Sequence, residues 1–321
     1  MSLARRSLLV AGAAAAVLPW LPRPAAALAP LAGRQVPGIY RLKVGEFEVT
    51  ALLDGYLDLG RELFAKGEPG EMDRLQEAAF LPKAAAVRSP VNAFAVSSGD
   101  RLVLIDTGTA SAMGPGLGHL PENLQAAGID PATVDAVLLT HMHPDHANGL
   151  LTPQGVAAFP NAEVLVAQAE AGFWLDDATL AQAPAGMKPY VEMARAAVKP
   201  YQSRLRTFAP GEEVMPGIGS VAAPGHTPGH TAYRVASGDA QLLVWGDIVH
   251  VAAFQLAHPD WSIGFDSDPN QAATTRQRML DMVAADRMAV AGMHLPFPGL
   301  GHIARAGQGY AFVPMPFLPL T

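Results

Sequence analysis

Residues 140–146 read Thr-His-Met-His-Pro-Asp-His, which places His141, His143, Asp145 and His146 within six consecutive positions. Imidazole nitrogens and a carboxylate are the donors that zinc and comparable borderline divalent metals take up. One histidine by itself is most simply a satisfied surface or core residue. Four such groups crowded behind an apolar run are costly to bury unless a metal satisfies them. Three further donors also follow apolar runs: His226 in Ala-Ala-Pro-Gly-His-Thr-Pro-Gly-His, Asp247 in Leu-Leu-Val-Trp-Gly-Asp, and His294 in Val-Ala-Gly-Met-His. Singly each is weak, because an Asp after a strand is commonly a turn or cap residue. Together the seven are enough for two metal ions with positions left open for water and substrate.

The chemistry follows from the donor count. Two divalent ions about 3.5–4 Å apart share a water and lower its pKa toward ~7, so a bridging hydroxide is available at neutral pH. That hydroxide attacks a carbonyl carbon or a phosphorus. No serine or cysteine nucleophile is required, and the chain contains no cysteine. Asp145 or a metal-bound water would protonate the leaving group. Asp106, in Ile-Asp-Thr-Gly, is placed to orient a ligand histidine through its second ring nitrogen. His230 competes with His226 for ligation, and the Pro-Gly-His-Thr context favours His226 and leaves His230 a supporting role. Trp174 and Phe265 are candidate walls of an apolar cleft, the setting that best orients a poorly solvated ester. His119 and His302 read as structural, and His258 as a loop residue.

The elements that must position these groups alternate between strand and helix. Residues 38–59 alternate as short strands do, and 94–96 and 102–105 flank a Ser-Ser-Gly-Asp hairpin signal. The apolar run 134–139 suits a strand covered on both faces, directly before the histidine loop. Helices are expected over 167–177, 189–206 and 270–286, the last capped near Asp268. A strand-rich block spans 219–249, and 287–292 forms one more apolar strand. With no linker between them, these elements predict a single α/β domain over roughly 30–321.

Composition narrows the class further. Of 321 residues, 50% are hydrophobic and 16% charged, which excludes a mainly disordered chain. The formal charge of −7 argues against a nucleic-acid partner, since duplex binding needs a basic face. Arg5 and Arg6 precede an apolar stretch over 8–18, and small residues run over 25–29. Residues 1–27 therefore read as a signal peptide of the twin-arginine type, cleaved after Ala27, with a periplasmic or secreted product. The stretch is too short for a stable membrane span of about 20 residues.

The chain resembles the metallo-β-lactamase-fold hydrolases, and within them is most similar to the branch of methyl parathion hydrolase and the quorum-quenching lactonases. The resemblance runs from about Phe94 to the C-terminus and is specific at 141–146, His226, Asp247 and His294. The segments Gly-Asp-Ile-Val-His-Val-Ala-Ala (246–253) and His-Leu-Pro-Phe-Pro-Gly-Leu-Gly-His (294–302) look especially like the methyl parathion hydrolase branch. It implies a four-layer αββα sandwich with His141, His143 and His226 on one metal, Asp145, His146 and His294 on the other, and Asp247 bridging. The ions implied are two divalent cations, zinc first, with manganese, cobalt and iron compatible. Class B lactamases usually replace the residue corresponding to His146, and diiron relatives place Glu where His143 stands, so both readings are disfavoured. At His250 the acyl-homoserine lactonases commonly carry a tyrosine that contacts the substrate carbonyl. A histidine there either donates to an oxyanion or lines the pocket, and both roles stay open. The expected substrate is a small ester, lactone or organophosphate triester, and the resemblance implies a homodimer. A lactamase-fold phosphodiesterase and a non-catalytic metal- or ligand-binding module are the alternatives.

Overall fold

The first half of the chain builds one mixed sheet and the second half another. In the computed structural model the described residues are 31–110 and 112–320, and Pro37–Thr321 forms one compact unit. The signal peptide read at 1–27 lies outside the described residues. Among these residues, the first sheet runs in chain order through β1 (Ile39–Val44), β2 (Phe47–Gly60), β3 (Ala86–Ser97), β4 (Leu102–Ile105), β5 (Ala136–Leu138), β6 (Glu163–Ala167) and β7 (Leu205–Phe208). β1 to β4 pair antiparallel, and β4 to β7 pair parallel. The second sheet comprises β8 (Glu213–Met215), β9 (Ile218–Ala222), β10 (Thr231–Ser237), β11 (Ala240–Val244), β12 (Ala289–Ala291), β13 (Leu300–Ala306) and β14 (Gly309–Pro314), again in chain order. In that sheet β11 and β12 are parallel neighbours.

The helices are α1 (Pro69–Ala78), α2 (Leu120–Ala126), α3 (Pro144–Ala147), α4 (Gln168–Trp174), α5 (Asp177–Gln182), α6 (Lys188–Val198), α7 (Ala252–Gln255) and α8 (Pro269–Ala285). Strand alternation sorts the side chains into layers. Val103 and Ile105 of β4 point between the sheets, where they meet Tyr233, Val235, Leu242 and Val244 of the second sheet. Leu104 points the other way and packs in a cluster with Leu124 of α2 and Val191 and Ala194 of α6. On the far face of the second sheet, Leu243 and Val290 pack with Met279, Leu280 and Val283 of α8. The result is helix, sheet, sheet, helix: the expected four-layer αββα sandwich.

Several expected elements differ in extent. The helix anticipated over 189–206 stops at Val198 and gives way to one 3-10 turn over Lys199–Tyr201, because Pro200 has no N–H to continue the α-helical ladder. The chain then turns and enters β7, which pairs parallel with β6. β5 and β12 are shorter than the apolar runs that announced them. The third helix starts at Pro269, and the Asp268 carboxylate accepts from the amides of Asn270 and Gln271, the cap expected there. Helix α1 carried no clear apolar period, since only Met72, Leu75 and Gln76 of it are buried.

One buried carboxylate organises the loop that leads away from β4. Asp54, in β2, accepts from the backbone amides of Thr109, Gly118 and Leu120 at 3.0, 3.1 and 3.0 Å and from the Thr109 hydroxyl at 2.8 Å. Asp54→Ala leaves buried amides unpaired, each worth roughly 1–3 kcal/mol. We expect it to lower the unfolding free energy by about 3 kcal/mol or more in urea titration. A loss under about 1 kcal/mol would show that the 106–120 loop is held by other contacts.

Candidate metal centre

The chemistry-bearing side chains collect at the carboxyl ends of the parallel strand pairs, the usual place for ligands in open α/β sheets. The chain leaves β5 through Thr140, His141 and Met142, and His143 precedes Pro144 at the start of α3, whose single turn carries Asp145 and His146. The β9–β10 loop supplies His226, the end of β11 leads to Asp247, and the end of β12 leads to His294. His143 excepted, these residues are buried.

All seven converge in two groups: His141, His143, His226 and Asp247, and Asp145, His146, His294 and Asp247. Within each, one ligand atom per residue lies within 4.8 Å of the others. The two oxygens of Asp247 face opposite ways. Its Oδ2 lies 3.3 Å from His226 Nε2 and 3.6 Å from His141 Nε2. Its Oδ1 lies 3.2 Å from both His146 Nε2 and His294 Nε2. Asp145 Oδ2 closes the second group at 3.3 Å from His146 and 3.4 Å from His294. In the first group His143 Nδ1 lies 2.9 Å from both His141 Nε2 and His226 Nε2.

The outward ring nitrogens show which way each lone pair points. His146 Nδ1 donates to Asp106 at 2.7 Å, His226 Nδ1 to Asp266 at 2.8 Å, and His294 Nδ1 to the Pro90 carbonyl at 2.7 Å. With each Nδ1 held outside, each Nε2 faces the centre, the nitrogen that a metal would take. His146 Nε2, His294 Nε2 and Asp247 Oδ1 are buried with no hydrogen-bond partner. Buried acceptors facing one another without a donor are unfavourable unless a cation sits among them, so this donor set fits two divalent metals.

The local charges divide: against the cost of burial, the carboxylates of Asp247, Asp145, Asp106 and Asp266 hold His146, His226 and His294 above the ordinary imidazole value. Burial opposes ionisation of Asp247, but the surrounding imidazoles of His146, His294, His141 and His250 outweigh it and hold the carboxyl well below its usual range. Burial and the neighbouring His146 keep His141 well below the ordinary imidazole value, so it stays neutral and able to ligate.

His230 does not ligate. Its Nδ1 donates to the Ala223 carbonyl at 2.9 Å, and its Nε2 accepts the Asp247 backbone amide at 2.9 Å, which fixes the bridging residue from behind. Gly246 permits this contact, since its backbone is left-handed and a Cβ there would lie 2.3 Å from His230 Nε2. Asp106 sits at the end of β4 with a positive φ, a left-handed conformation that Asp tolerates better than most residues. It also accepts from the Thr140 amide and hydroxyl, both at 2.7 Å.

Above the two groups opens a cavity of about 480 Å³ that includes Trp174, His250 and Phe265 in its wall. His250 stacks on His294 with ring centroids 5.2 Å apart, and its Nε2 lies 3.1 Å from Asp247 Oδ2. Burial, with the imidazoles of His226 and His294, pulls its pKa down to about 4, so it is neutral at physiological pH.

Asp266 and Arg276 escaped the sequence reading. Asp266 orients His226, and Arg276, fully buried on α8, lies 3.7 Å from Asp266. Arg276 also donates to the carbonyls of Ile248, Pro259 and Trp261. The Asp-Ser-Asp run at 266–268 offered a hint, but it reads as a helix cap.

Loss of an outward partner costs a metal ligand its orientation, typically about 10–100-fold in affinity. Asp106→Asn is expected to weaken binding of one divalent ion by about that factor in chelator competition. Unchanged affinity would remove Asp106 from the support of the centre.

Residues 86–294, which include all seven side chains, match the family model described as metallo-beta-lactamase superfamily. Among solved structures, hydrolase AbOPH in the beta lactamase superfamily is 37% identical with a TM-score of 0.85, covering 89% of this chain and 100% of that one. AidC, described as a dizinc quorum-quenching lactonase and solved with the product N-hexnoyl-L-homoserine, is 27% identical with a TM-score of 0.83, covering 88% and 99%. YobT of Bacillus subtilis (strain 168) is 26% identical over 167 residues, 52% of this chain, and the match spans 63% of that relative's length. With the donor pattern, the two-sheet sandwich and a family match across most of its length, the chain belongs to the metallo-beta-lactamase superfamily of metal-dependent hydrolases.

Proposed function

We propose that the protein is an exported dinuclear metallohydrolase that cleaves small neutral esters, lactones or organophosphate triesters. The observation that carries this reading is the division of Asp247, one oxygen toward His141 and His226 and the other toward His146 and His294. The likeness to a dizinc lactonase and to a second hydrolase supports it. Two divalent ions bound there, zinc first among the candidates, would supply a water ionised at neutral pH and a Lewis acid for the substrate oxygen.

The chain's own side chains account for the rest. Leu57, Leu59, Trp174, Met187 and Phe265 give the cavity an apolar wall, which takes the uncharged part of a substrate and excludes water from it. No Lys or Arg among the described residues lines this cavity, which disfavours anionic phosphodiesters. His250, neutral and lining the same cavity, keeps one ring N–H to donate to the oxygen on which charge develops. Asp145, also in the cavity wall, can carry the proton to a poor leaving group such as an alkoxide. The leader at 1–27 adds export by a route that carries folded protein, so the centre would be assembled before transport.

The test is turnover of p-nitrophenyl acetate, methyl parathion and an acyl-homoserine lactone by metal-replete protein, with and without a chelator. We expect turnover of at least one, abolished by the chelator and restored by added divalent metal. Asp247→Ala should bring the rate to background with the chain still folded. His250→Phe should lower kcat roughly 100-fold with metal content unchanged. Chelator-insensitive rates, or no hydrolysis of any of the three, would overturn the proposal.

A further inference from the structure

Glu170 is fully buried in the first turn of α4 and belongs to neither group of donors. Its Oε1 accepts from the Met142 amide at 2.9 Å and from the Trp174 indole N–H at 2.6 Å. Its Oε2 accepts from the Thr227 hydroxyl at 2.7 Å and from the Gly229 amide at 3.0 Å. Met142 lies between His141 and His143, and Thr227 follows His226. One carboxylate therefore ties the two loops that carry all three histidines of the first group, and no residue of the second group touches it by hydrogen bond.

The fit is close. A Cβ on Gly229 would lie 2.1 Å from the Glu170 backbone nitrogen, so the loop lies directly against the start of α4. The same carboxylate holds Trp174, whose ring packs edge-on against His143 with centroids 5.3 Å apart and which forms part of the cavity wall. In the second group His146 is held by Asp106, which also accepts from Thr140 beside His141, whereas Glu170 bonds only to the loops of the first group's histidines and to Trp174.

We infer that Glu170 is the positioning residue of the first metal group, setting His141, His143 and His226 together with the substrate wall at Trp174, independently of the second group. This rests on the two-ion reading of the centre. All four partners of the carboxylate are donors. Glutamine keeps the shape but turns one acceptor into an NH2 that faces a backbone amide, which cannot reverse its role.

The experiment is zinc titration of metal-stripped protein against a chromophoric chelator, wild type beside Glu170→Gln, with X-ray absorption of the one-ion form. Wild type is expected to bind two ions. Glu170→Gln should hold one ion with wild-type affinity and weaken the other by about 10–100-fold. The retained ion should show two imidazole ligands, His146 and His294, rather than three. Thr227→Val, which removes a single donor, should weaken the same ion by several-fold and serves if Glu170→Gln does not fold. Equal loss of both ions, loss of neither, or a retained ion with three imidazoles would overturn the assignment of Glu170. Wild type that binds fewer than two ions would instead overturn the two-ion reading, and the independence of the groups with it.

Discussion

The structure is organised around a carboxylate that could not otherwise be tolerated where it is. Asp247 is buried, and imidazoles surround both of its oxygens. An isolated buried carboxylate costs several kcal/mol, and inward-facing lone pairs add to that cost. The fold sustains the arrangement because three of the five histidines have their outward ring nitrogens held: Asp106 for His146, Asp266 for His226, the Pro90 carbonyl for His294. These partners decide which nitrogen carries the proton, and so convert a repulsive cluster into two preorganised sets of lone pairs.

The two sheets make that convergence geometrically simple. β5 and β11 each end in a loop at the same side of the sandwich, and their residues point into the space between layers whose cores are otherwise apolar. The chain behaves as two similar halves, each contributing a parallel pair with donors at the carboxyl ends: β4 with β5, β11 with β12. Behind the site, Arg276 reaches from α8 to three carbonyls of the 248–261 segment and faces Asp266, so the outer helix layer is coupled to the metal side. The layers are thus joined by polar contacts as well as by burial.

The donors were legible in the sequence because local spacing announced them. His-x-His-x-Asp-His after an apolar run needs no knowledge of distant residues, and Asp247 and His294 stand out as polar residues ending apolar strands. Asp106 was readable on the same ground, as an acid closing a strand. The supporting residues were not, since their roles exist only in three dimensions. Asp266 meets His226 across 40 positions, and Glu170 meets Thr227 across 57. Nothing local distinguishes Glu170 from a solvated helix acid. The fold shows the same division. Helix α8 and its Asp268 cap follow from neighbouring residues, as does the end of α6 before Pro200, whereas the entry into β7 is set by pairing with β6.

The central claim is geometric, and anomalous diffraction from crystals grown with zinc tests it most directly. The account requires two peaks about 3.5–4 Å apart, one beside each oxygen of Asp247, with three histidines on one ion and two histidines with Asp145 on the other. A single peak, or two peaks of which only one touches Asp247, would contradict it.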